Sequence, residues 1–438
     1  MIFAKLQEFR QAVHPLLGRA KDALFDLMDA VLTTGHISSF VMLSLSPVFR
    51  RQWPSLYEAL EDGRPQRNKL MRLYIEHIPT VQQPILAGDH THYPRPEAKT
   101  LKDRTYEHQP TPIRGNKPIT IGQGYSTIAW VPDTEGSWAL PLRHERITSF
   151  ESPISKAVFQ LKQVTRHLTV RPIVLYDSEY GNSKFAQQTA AIAADIVVRL
   201  RSNICLWGAP PVYSGTGRPR VHGDKFKLND PTTWPAPAEM LQLEDPTLGT
   251  VTVKLWHGLH FRKSPQRSMS IVSIDCHSRS GHSRIRPLWV AWMGDTPPAL
   301  SQLWSLYLRR GTIDHWYRFA KQRLHWTVPN LSTPQQAERW SDLMPLLTWQ
   351  LWLARDQMQD NPLPWQKTQT KLTPGRVAQG FAAVLTQLGT PAVPPKPRGK
   401  SPGWPMGTPR SPKPRFPVVR KRVSKPKLDP KEAPKVAA

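Results

Sequence analysis

The chain has 438 residues and a net charge of +26, with a sequence pI near 10.3. Usual domain sizes suggest two to four structural units, and the positive charge favours a polyanionic partner, above all nucleic acid. No apolar run reaches the roughly 18 to 20 residues that span a bilayer, and charges interrupt residues 1–10, unlike a secretory signal. Cys205 and Cys276 are too far apart to indicate a disulfide framework or a zinc site. We therefore expect a soluble, unexported protein with no membrane segment.

The N-terminal part, residues 1–79, has apolar positions at helical spacing in short stretches separated by Gly and Pro. This pattern predicts a helical domain. Helical units of this kind often bind DNA, and we predict the same function here, although no helix-turn-helix spacing identifies a recognition helix.

After residue 79 the apolar pattern changes to short runs typical of strands, interleaved with helical patterns. The predicted strands are residues 84–87, 119–130, 138–147, 172–176 and 196–198, and the predicted helices are residues 155–167 and 183–194. Strand, hairpin, helix, strand, helix, strand is the order of a mixed sheet covered by helices. We therefore predict an α/β fold and place the first part of its core at residues 80–202.

Two further core segments and a tail complete the predicted organisation. Residues 203–267 are rich in Gly, Pro and short β-like pieces, which indicates a β-rich insertion. Residues 268–360 contain two strand signals and then long helical patterns at 298–326 and 334–358, so they form the second part of the core.

The C-terminal segment, residues 361–438, is predicted to be a basic, Pro-rich tail that is largely disordered. From Pro391 onward it holds 13 prolines and 13 Lys or Arg against two acids. Such a composition buries too little apolar surface to fold alone, and it binds phosphates in a salt-sensitive way.

Acidic residues follow two of the predicted strands, where backbone leaves a sheet and ligands commonly gather. Asp89 follows the first strand and Asp177 follows the strand at 172–176. Two-metal phosphoryl transfer needs carboxylates that hold divalent ions about 3.5 to 4 Å apart. Either aspartate alone is more typical of a turn or a helix cap than of a metal ligand.

The most specific pattern lies in the helical stretch at residues 298–326. Arg310, Asp314 and Lys321 follow Tyr307 at offsets of 3, 7 and 14 residues. At about 100° per residue, one continuous helix would place these four side chains within a sector of roughly 60°. Trp316 would then point to the opposite side and pack in the core. The pattern predicts a carboxylate flanked by cations that can hold phosphates.

At these residues the sequence resembles the insertion-sequence DDE transposases of bacterial and cyanobacterial type. Their final motif reads Y, two residues, R, three residues, E, six residues, K, and the spacing here is the same, with Asp314 in the place of the usual Glu. Asp89 and Asp177 match the family's first two acids. The resemblance covers residues 89–326 and includes a β-rich insertion between the second and third acids.

The resemblance implies a ribonuclease-H-like core and a transposase that cleaves and rejoins DNA at insertion-sequence ends. It implies that Asp89, Asp177 and Asp314 are the catalytic, metal-binding residues, with two Mg²⁺ ions as cofactors and Mn²⁺ as a possible substitute. It further implies double-stranded DNA as the partner, both terminal inverted repeats and target DNA, a homodimer in the synaptic complex, and a cytoplasmic, nucleoid-associated location in bacteria. The predicted DNA-binding residues are Tyr307, Arg310, Lys321, Arg95, Arg104 and Arg318.

Other interpretations remain open at this point. Aspartate is one methylene shorter than glutamate, so a catalytically inactive, transposase-derived DNA-binding protein is the alternative function, and an RNA-binding protein ranks behind it. Glu179, Asp275 and Asp295 are rival acids that we place outside the metal site. His90 and His92 resemble a ligand pair, but no third spaced His or Cys supports zinc.

Overall fold

A computed structural model describes residues 3–80, 83–108, 118–134, 136–245, 249–277, 287–397, 403, 405–409 and 411–421. Within these ranges the chain forms a mixed α/β fold in which a large mixed sheet is flanked by helices. The predicted fold class is confirmed at this level. None of the helices in these ranges is both long enough and apolar enough to cross a membrane.

The N-terminal helices surround one central helix that is buried on all sides. They are α1 (Ala4–Leu16), α2 (Lys21–Thr33), a 3-10 helix (Phe40–Leu45), α3 (Pro54–Asp62) and α4 (Arg67–Glu76). In α2, every residue from 24 to 32 is buried, including two aspartates. Such a helix needs partners all round, and later parts of the chain supply them.

The first half of the sheet follows the predicted order closely. It contains β1 (Ile85–Pro94), β2 (Thr105–His108), β3 (Ile119–Trp130), β4 (Leu140–Ile147), β5 (Ile173–Tyr176) and β6 (Asp195–Leu200), with α5 (Pro153–Thr165) and α6 (Ser183–Thr189) between the later strands. β3 pairs antiparallel with β1, β2 and β4, whereas β1, β5 and β6 run parallel to one another. The carboxyl ends of β1, β5 and β6 therefore lie at one edge.

The β-rich segment continues the same sheet. Its strands are β7 (Cys205–Trp207), β8 (Lys225–Lys227), β9 (Glu239–Asp245), β10 (Gly249–Phe261) and β11 (Ser264–His277), followed by β12 (Leu288–Met293). β11 pairs with β10 on one side and with β12 on the other, and β12 pairs with β6. The predicted boundary at residue 267 therefore falls inside β11, which belongs to both the insertion and the core.

The C-terminal helices differ from the predicted pattern in two ways. They are α7 (Leu300–Leu308), α8 (Gly311–Gln322), α9 (Pro334–Arg355) and α10 (Pro374–Leu388). The predicted single helix over residues 298–326 was wrong, because a turn at Arg309 and Arg310 separates α7 from α8. The predicted tail boundary at 361 was also wrong, because α10 buries Val377, Phe381 and Leu385 against the helical core.

The helices at the two ends of the chain share one core with the sheet. Thr333 caps the N-terminus of α9, because its side chain accepts a hydrogen bond from the backbone N–H of Gln336. The helix packs on β4, α1, α3 and α10, while α2 packs on α10. Residues 1–79 therefore do not form a separate hydrophobic core. Their predicted role in DNA binding stays a prediction.

Candidate functional site

Two aspartates lie side by side where the parallel pairing of β1 with β5 ends, although β1 itself continues to Pro94. In the register of β1 and β5, Gly88 is paired with Tyr176, so the next residues are Asp89 and Asp177. Gly88 allows this close approach, because a Cβ there would lie 2.1 Å from Cε1 of Tyr176. Neighbouring strands are about 4.8 Å apart, which brings the two carboxylates close together as the strand-end pattern predicted.

The Asp89 carboxyl is buried, with 7% of the residue exposed, and its ionisation is strongly perturbed. Burial raises its pKa to about 8, the Arg310 guanidinium opposes this rise, and the charges of Asp177 and Asp314 add to it. Both of the other predicted carboxylates therefore lie near enough to act on Asp89. The three acids, separated by up to 225 residues in sequence, form one electrostatic cluster.

Arg310 connects the sheet to the helix that follows it. Its Nη2 donates to Oδ2 of Asp89 at 2.7 Å, and its Nη1 donates to Oδ2 of Asp314 at 2.8 Å. Burial lowers the pKa of Arg310, but the two carboxylates outweigh that effect and raise it above the usual value. One guanidinium therefore holds two of the three predicted metal ligands, a planar geometry to which arginine is well suited.

The other two residues of the helix motif lie on the same side of the sheet despite the turn at 309–310. Tyr307 is buried at the end of α7, where burial raises its pKa to about 12 and the charges of Arg310, Asp177 and Asp89 all act on it. Lys321 donates from Nζ to Oγ1 of Thr91 at 2.8 Å, and burial lowers its pKa to about 8. The shared face survives because α8 lies along β1.

A comparison with models of known protein families matches a large part of this chain. A family model of DDE superfamily endonucleases matches residues 12–260, more than half of the sequence. The chain belongs to the DDE superfamily endonucleases. No curated protein matches it. The family assignment indicates a nuclease-type enzyme that acts on DNA, and DDE endonucleases generally use divalent metals.

The matched range also bears on how the DDE endonuclease is organised. It begins inside α1, so most of the N-terminal helices belong to the family domain, consistent with their shared core. It contains Asp89 and Asp177 but ends at residue 260, before α7 and α8. The placement of Asp314 beside the first two acids therefore depends on the contacts of Arg310 rather than on the family match.

Tyr317 is a residue of this endonuclease site that the sequence pattern did not identify. Its hydroxyl donates to the backbone oxygen of Asp89 at 3.0 Å and lies 2.9 Å from Oγ1 of Thr127. Tyr317 therefore attaches α8 to β1 at the position of the first acid. Its spacing of three residues from Asp314 was a usable signal, because residues three apart share a helix face.

His90 and Glu179 also lie closer to the site than predicted. His90 Nε2 lies 3.2 Å from Oε2 of Glu179, and His90 Nδ1 lies 3.2 Å from the hydroxyl of Tyr180. These contacts join β1 to the loop that carries Asp177. The other rival acid Asp295 has an 86% exposed side chain and pairs with Arg171 at 3.5 Å.

Two predicted DNA contacts, Arg95 and Arg104, bind the protein's own backbone in this structure, and as DNA contacts they stay predictions. Arg104 is only 3% exposed, and its guanidinium donates to the backbone oxygens of Arg95, Pro96 and Phe416. Arg95 donates to the backbone oxygen of Pro329 and lies over the Tyr93 ring at 4.0 Å. Both side chains are committed to the protein's own loops, whose folding over them cannot be read from local sequence.

Of the remaining predicted residues, Arg318 is exposed on α8 and stays a predicted DNA contact. The prediction for Trp316 is confirmed, because it is 1% exposed and its Nε1 donates to Oγ1 of Thr348 at 2.9 Å. Its ring therefore packs beneath α8 rather than facing the acids.

Carboxylates are suitable ligands for a divalent cation, but in this structure Asp89 and Asp314 are both paired with Arg310. Carboxylate oxygens are the ligands that Mg²⁺ prefers, and burial raises the pKa of Asp89, with the charges of Asp177 and Asp314 adding to the rise and Arg310 opposing it. In the described part of the chain, no three His, Cys, Asp or Glu side chains are spaced to enclose a metal ion, and this includes His90 and His92. Arg310 has to release a carboxylate before these acids can share cations.

Proposed function

We propose that the protein is a DDE-type transposase that cleaves and rejoins DNA at insertion-sequence ends, with Asp89, Asp177 and Asp314 as its metal-binding acids. The observation that carries the proposal is the double contact of Arg310, which brings the third acid beside the first acid on β1. The spacing of the helix motif around Arg310, which is that of the resembled family's final motif, supports the transposase assignment over a general nuclease.

The strand order supports a ribonuclease-H-like core. β4, β3 and β1 form an antiparallel meander, and β5 and β6 continue it in parallel with β1. In this arrangement the first acid comes from the middle of the sheet and the second from the adjacent parallel strand. A helix that follows the β-rich insertion then supplies the third acid.

The proposed mechanism assigns a separate task to each group of side chains. When bound, two divalent cations, Mg²⁺ or in its place Mn²⁺, activate the attacking oxygen and stabilise the leaving oxygen of an in-line displacement. Asp89 and Asp177 present their carboxylates from the sheet edge, and Asp314 presents its own from α8. Tyr317 fixes the backbone of Asp89, so the first carboxylate keeps its position relative to α8.

Cations beside the acids are suited to hold the DNA backbone. Arg310 can exchange a carboxylate for a phosphate, whose two non-bridging oxygens also accept a bidentate pair of hydrogen bonds from a guanidinium. Lys321 lies about two turns after Asp314 along α8 and can hold a second phosphate beside Thr91. In the first step water attacks a phosphodiester and the 3′-oxygen leaves with a proton. In the second step the freed 3′-hydroxyl loses its proton and attacks a phosphodiester of the target DNA, whose own 3′-oxygen leaves and takes up a proton.

The partners follow from this reaction. Two element ends and a target duplex have to be held together, so we propose that two copies of the chain act in the synaptic complex. The helical N-terminal segment and the basic surfaces are the candidates for holding the inverted repeats.

Cleavage of the gene's own flanking DNA tests the proposal. Duplexes that carry the two flanking ends are incubated with Mg²⁺, and binding and strand cleavage are measured on the same samples. The native chain is expected to cleave. Asp177→Asn is expected to bind but to cleave more slowly by on the order of 10³, because metal catalysis contributes several kcal/mol and each 1.36 kcal/mol is tenfold.

Asp295→Asn is the matched control, since it removes one carboxylate that is exposed and lies outside the proposed site. It should cleave like the native chain. Binding without cleavage by the native chain would instead favour the transposase-derived, catalytically inactive DNA-binding protein, for which the shorter reach of Asp314 is the physical reason.

A further inference from the structure

Part of the basic C-terminal segment is docked on the sheet. The backbone N–H of Phe416 donates to the oxygen of Lys99 at 2.8 Å, and that of Val419 donates to the oxygen of Arg104 at 2.7 Å. Val419 also forms a parallel bridge with Thr105, the first residue of β2. The backbone from Phe416 to Lys421 thus follows the β1–β2 connection and the start of β2, with a strand-like pairing at Val419 on what would otherwise be an edge of the sheet.

Side chains reinforce this docking. Arg104 Nη2 donates to the backbone oxygen of Phe416 at 3.2 Å, and Lys102 Nζ lies 5.0 Å from the centre of the Phe416 ring. Lys421 pairs at 3.6 Å with Glu107, whose buried carboxylate also accepts from Thr105. Several independent contacts fix the backbone direction of this segment, so its position is specified and is not only electrostatic.

The docked segment gathers positive charge on one surface. Its exposed cations lie next to exposed lysines of the β1–β2 connection, and together they are Lys99, Lys102, Lys413, Arg415 and Arg420. We refer to these five residues as the basic ledge. The acids nearby are mostly committed, since Glu107 is paired with Lys421 and Asp103 with Arg146. Glu97 remains an exposed acid beside the ledge.

The sheet register gives the separation, measured along the strands, between the candidate site and Thr105, where Val419 of the docked segment bridges to β2. On β3, Gly122 is the partner of Thr105, and Thr127 is the partner of Asp89. These positions are five residues apart, or about 17 Å at about 3.4 Å per residue. The same length spans roughly five base pairs, because each strand of DNA advances about 3.4 Å per phosphate.

We propose that the basic ledge binds the phosphate backbone of duplex DNA about five base pairs from the bond that the acids cleave. The inference rests on the proposed function, since it needs DNA in the site. Docking matters because a fixed row of cations loses less freedom on binding than cations on an unanchored chain. The C-terminal segment therefore gives the duplex a second point of support, which orients it across the sheet edge.

The test separates the effect of docking from the effect of charge. It uses two substitution variants of the full chain and one truncated control. The docking variant, Phe416→Ala with Val419→Pro, keeps every charge but removes the ring and one backbone donor. The charge variant, Lys413→Gln with Arg415→Gln and Arg420→Gln, keeps the docking contacts but loses three positive charges. The control is a chain that ends at Lys421, which also loses three net charges because residues 422–438 hold five cations and two acids.

Affinity for a duplex carrying the element end is measured over a range of salt concentrations. The charge variant should lower the slope of log affinity against log salt by about 2.7, or about 0.9 for each lost phosphate contact. The docking variant should lower the slope in the same direction despite its unchanged charge. The control should change it by less than half as much. Thermal unfolding of each variant checks that the core is intact.

A footprint on the DNA provides the second readout. Hydroxyl-radical protection by the Asp177→Asn chain should include phosphates about five base pairs from the scissile bond, and the charge variant made in that chain should lose this protection alone. The proposal that the basic ledge binds DNA would be overturned by equal salt slopes for the native chain and the docking variant. It would also be overturned if the control and the charge variant lowered the slope equally. If the native chain binds element-end DNA without cleaving it, the proposed function is contradicted. The expected differences in salt slope would still support DNA binding by the basic ledge.

Discussion

The two halves of the candidate site are built by different means. Asp89 and Asp177 are placed by the parallel register of β1 and β5, and Asp89 is 7% exposed. Asp314 lies on α8, directly after a turn, with a side chain that is 51% exposed and held by Arg310. Backbone pairing fixes the sheet side, whereas side-chain contacts fix the helix side. Changes on the two sides should therefore have different consequences for stability and for metal binding.

The largest effect is expected from Arg310→Ala, which removes the contact that joins the two halves. Loss of the cation leaves the buried Asp89 unpaired, and removing one partner of a buried pair costs about 3–5 kcal/mol of unfolding free energy. At the same time the guanidinium no longer competes for the carboxylates. Affinity for Mn²⁺ in the absence of DNA should rise by about 5–150-fold, the usual range for coupling between two sites.

Calorimetric Mn²⁺ titrations and unfolding curves, with and without duplex DNA, measure both effects. In the native chain DNA should strengthen Mn²⁺ binding, because phosphates draw Arg310 away, and in Arg310→Ala that enhancement should disappear. Arg318→Ala is the control, since it removes an exposed cation from the same helix. An Arg310→Ala chain that binds Mn²⁺ no more tightly than the native chain would show that the guanidinium does not occupy the metal position.

Local sequence predicted the sheet side better than the helix side. The apolar run before Asp177 identified the end of β5, but β1 continues past Asp89 to Pro94, so the first acid lies within a strand that the sequence pattern made too short. The helix motif identified the right face, yet the turn at Arg309 and Arg310 was missed, since Gly311 is a weak breaker within a helical pattern. The contacts of Arg310 with acids, rather than with phosphate alone, follow from packing between residues 221 positions apart.

Long-range packing also explains why local sequence misjudged the surroundings of Arg95 and Arg104 and the start of the C-terminal tail. Arg95 and Arg104 look like exposed loop cations in sequence, but the chain near Pro329 and Phe416 folds over them. The predicted tail from residue 361 had the composition of a disordered segment, yet α10 has an apolar face that α2 and α9 cover. Composition predicts how a segment behaves in isolation, whereas these segments pack against parts of the chain that are distant in sequence.

The sheet side is tested next by Gly88→Ala. An added Cβ would lie 2.1 Å from the Tyr176 ring, and both residues belong to the strand pair that positions the acids. Overpacking of this kind costs about 1–3 kcal/mol, and the shift it forces should displace Asp89 from Asp177. We expect lower thermal stability together with weaker Mn²⁺ binding.

Gly311→Ala provides the matched control from the helix side. No atom lies within 4 Å of a Cβ at Gly311, and the position begins α8. Alanine there should be neutral or stabilising by a few tenths of a kcal/mol. If Gly88→Ala were as well tolerated as Gly311→Ala, the close approach at Gly88 would not determine the placement of the acids.

Lowering the pH should destabilise the fold through His144, which packs beneath α8. This residue is buried beneath α8, with its ring 5.1 Å from Trp316 and its Nδ1 2.8 Å from Oγ1 of Thr127. Burial lowers its pKa to about 3 from the usual 6.5. Between these values the unfolded chain binds a proton that the folded chain excludes, so stability is complete above pH 6.5 and falls as the pH drops.

The contribution of this one group is up to about 1.4 kcal/mol per pH unit, or about 2 kcal/mol at pH 5. Unfolding free energies of the native chain and His144→Gln, measured from pH 7.5 to pH 5, should therefore differ less as the pH falls. A constant difference across that range would mean that His144 titrates in the folded chain as it does in the unfolded one. His167→Gln, at an exposed position, controls for the general loss of a histidine.

The smallest effect is expected from Asp314→Glu. The side chain is half exposed, so an added methylene meets little resistance, and the longer reach brings the carboxylate toward Asp89 and Asp177. Stability should be unchanged, while cleavage of element ends should be equal to or faster than that of the native chain. The same substitution at Asp89 should instead be damaging, because that carboxyl is enclosed by the sheet and by Arg310. Loss of cleavage in Asp314→Glu with DNA binding intact would place the third ligand elsewhere, with Glu179, which contacts His90, as the acid to test next.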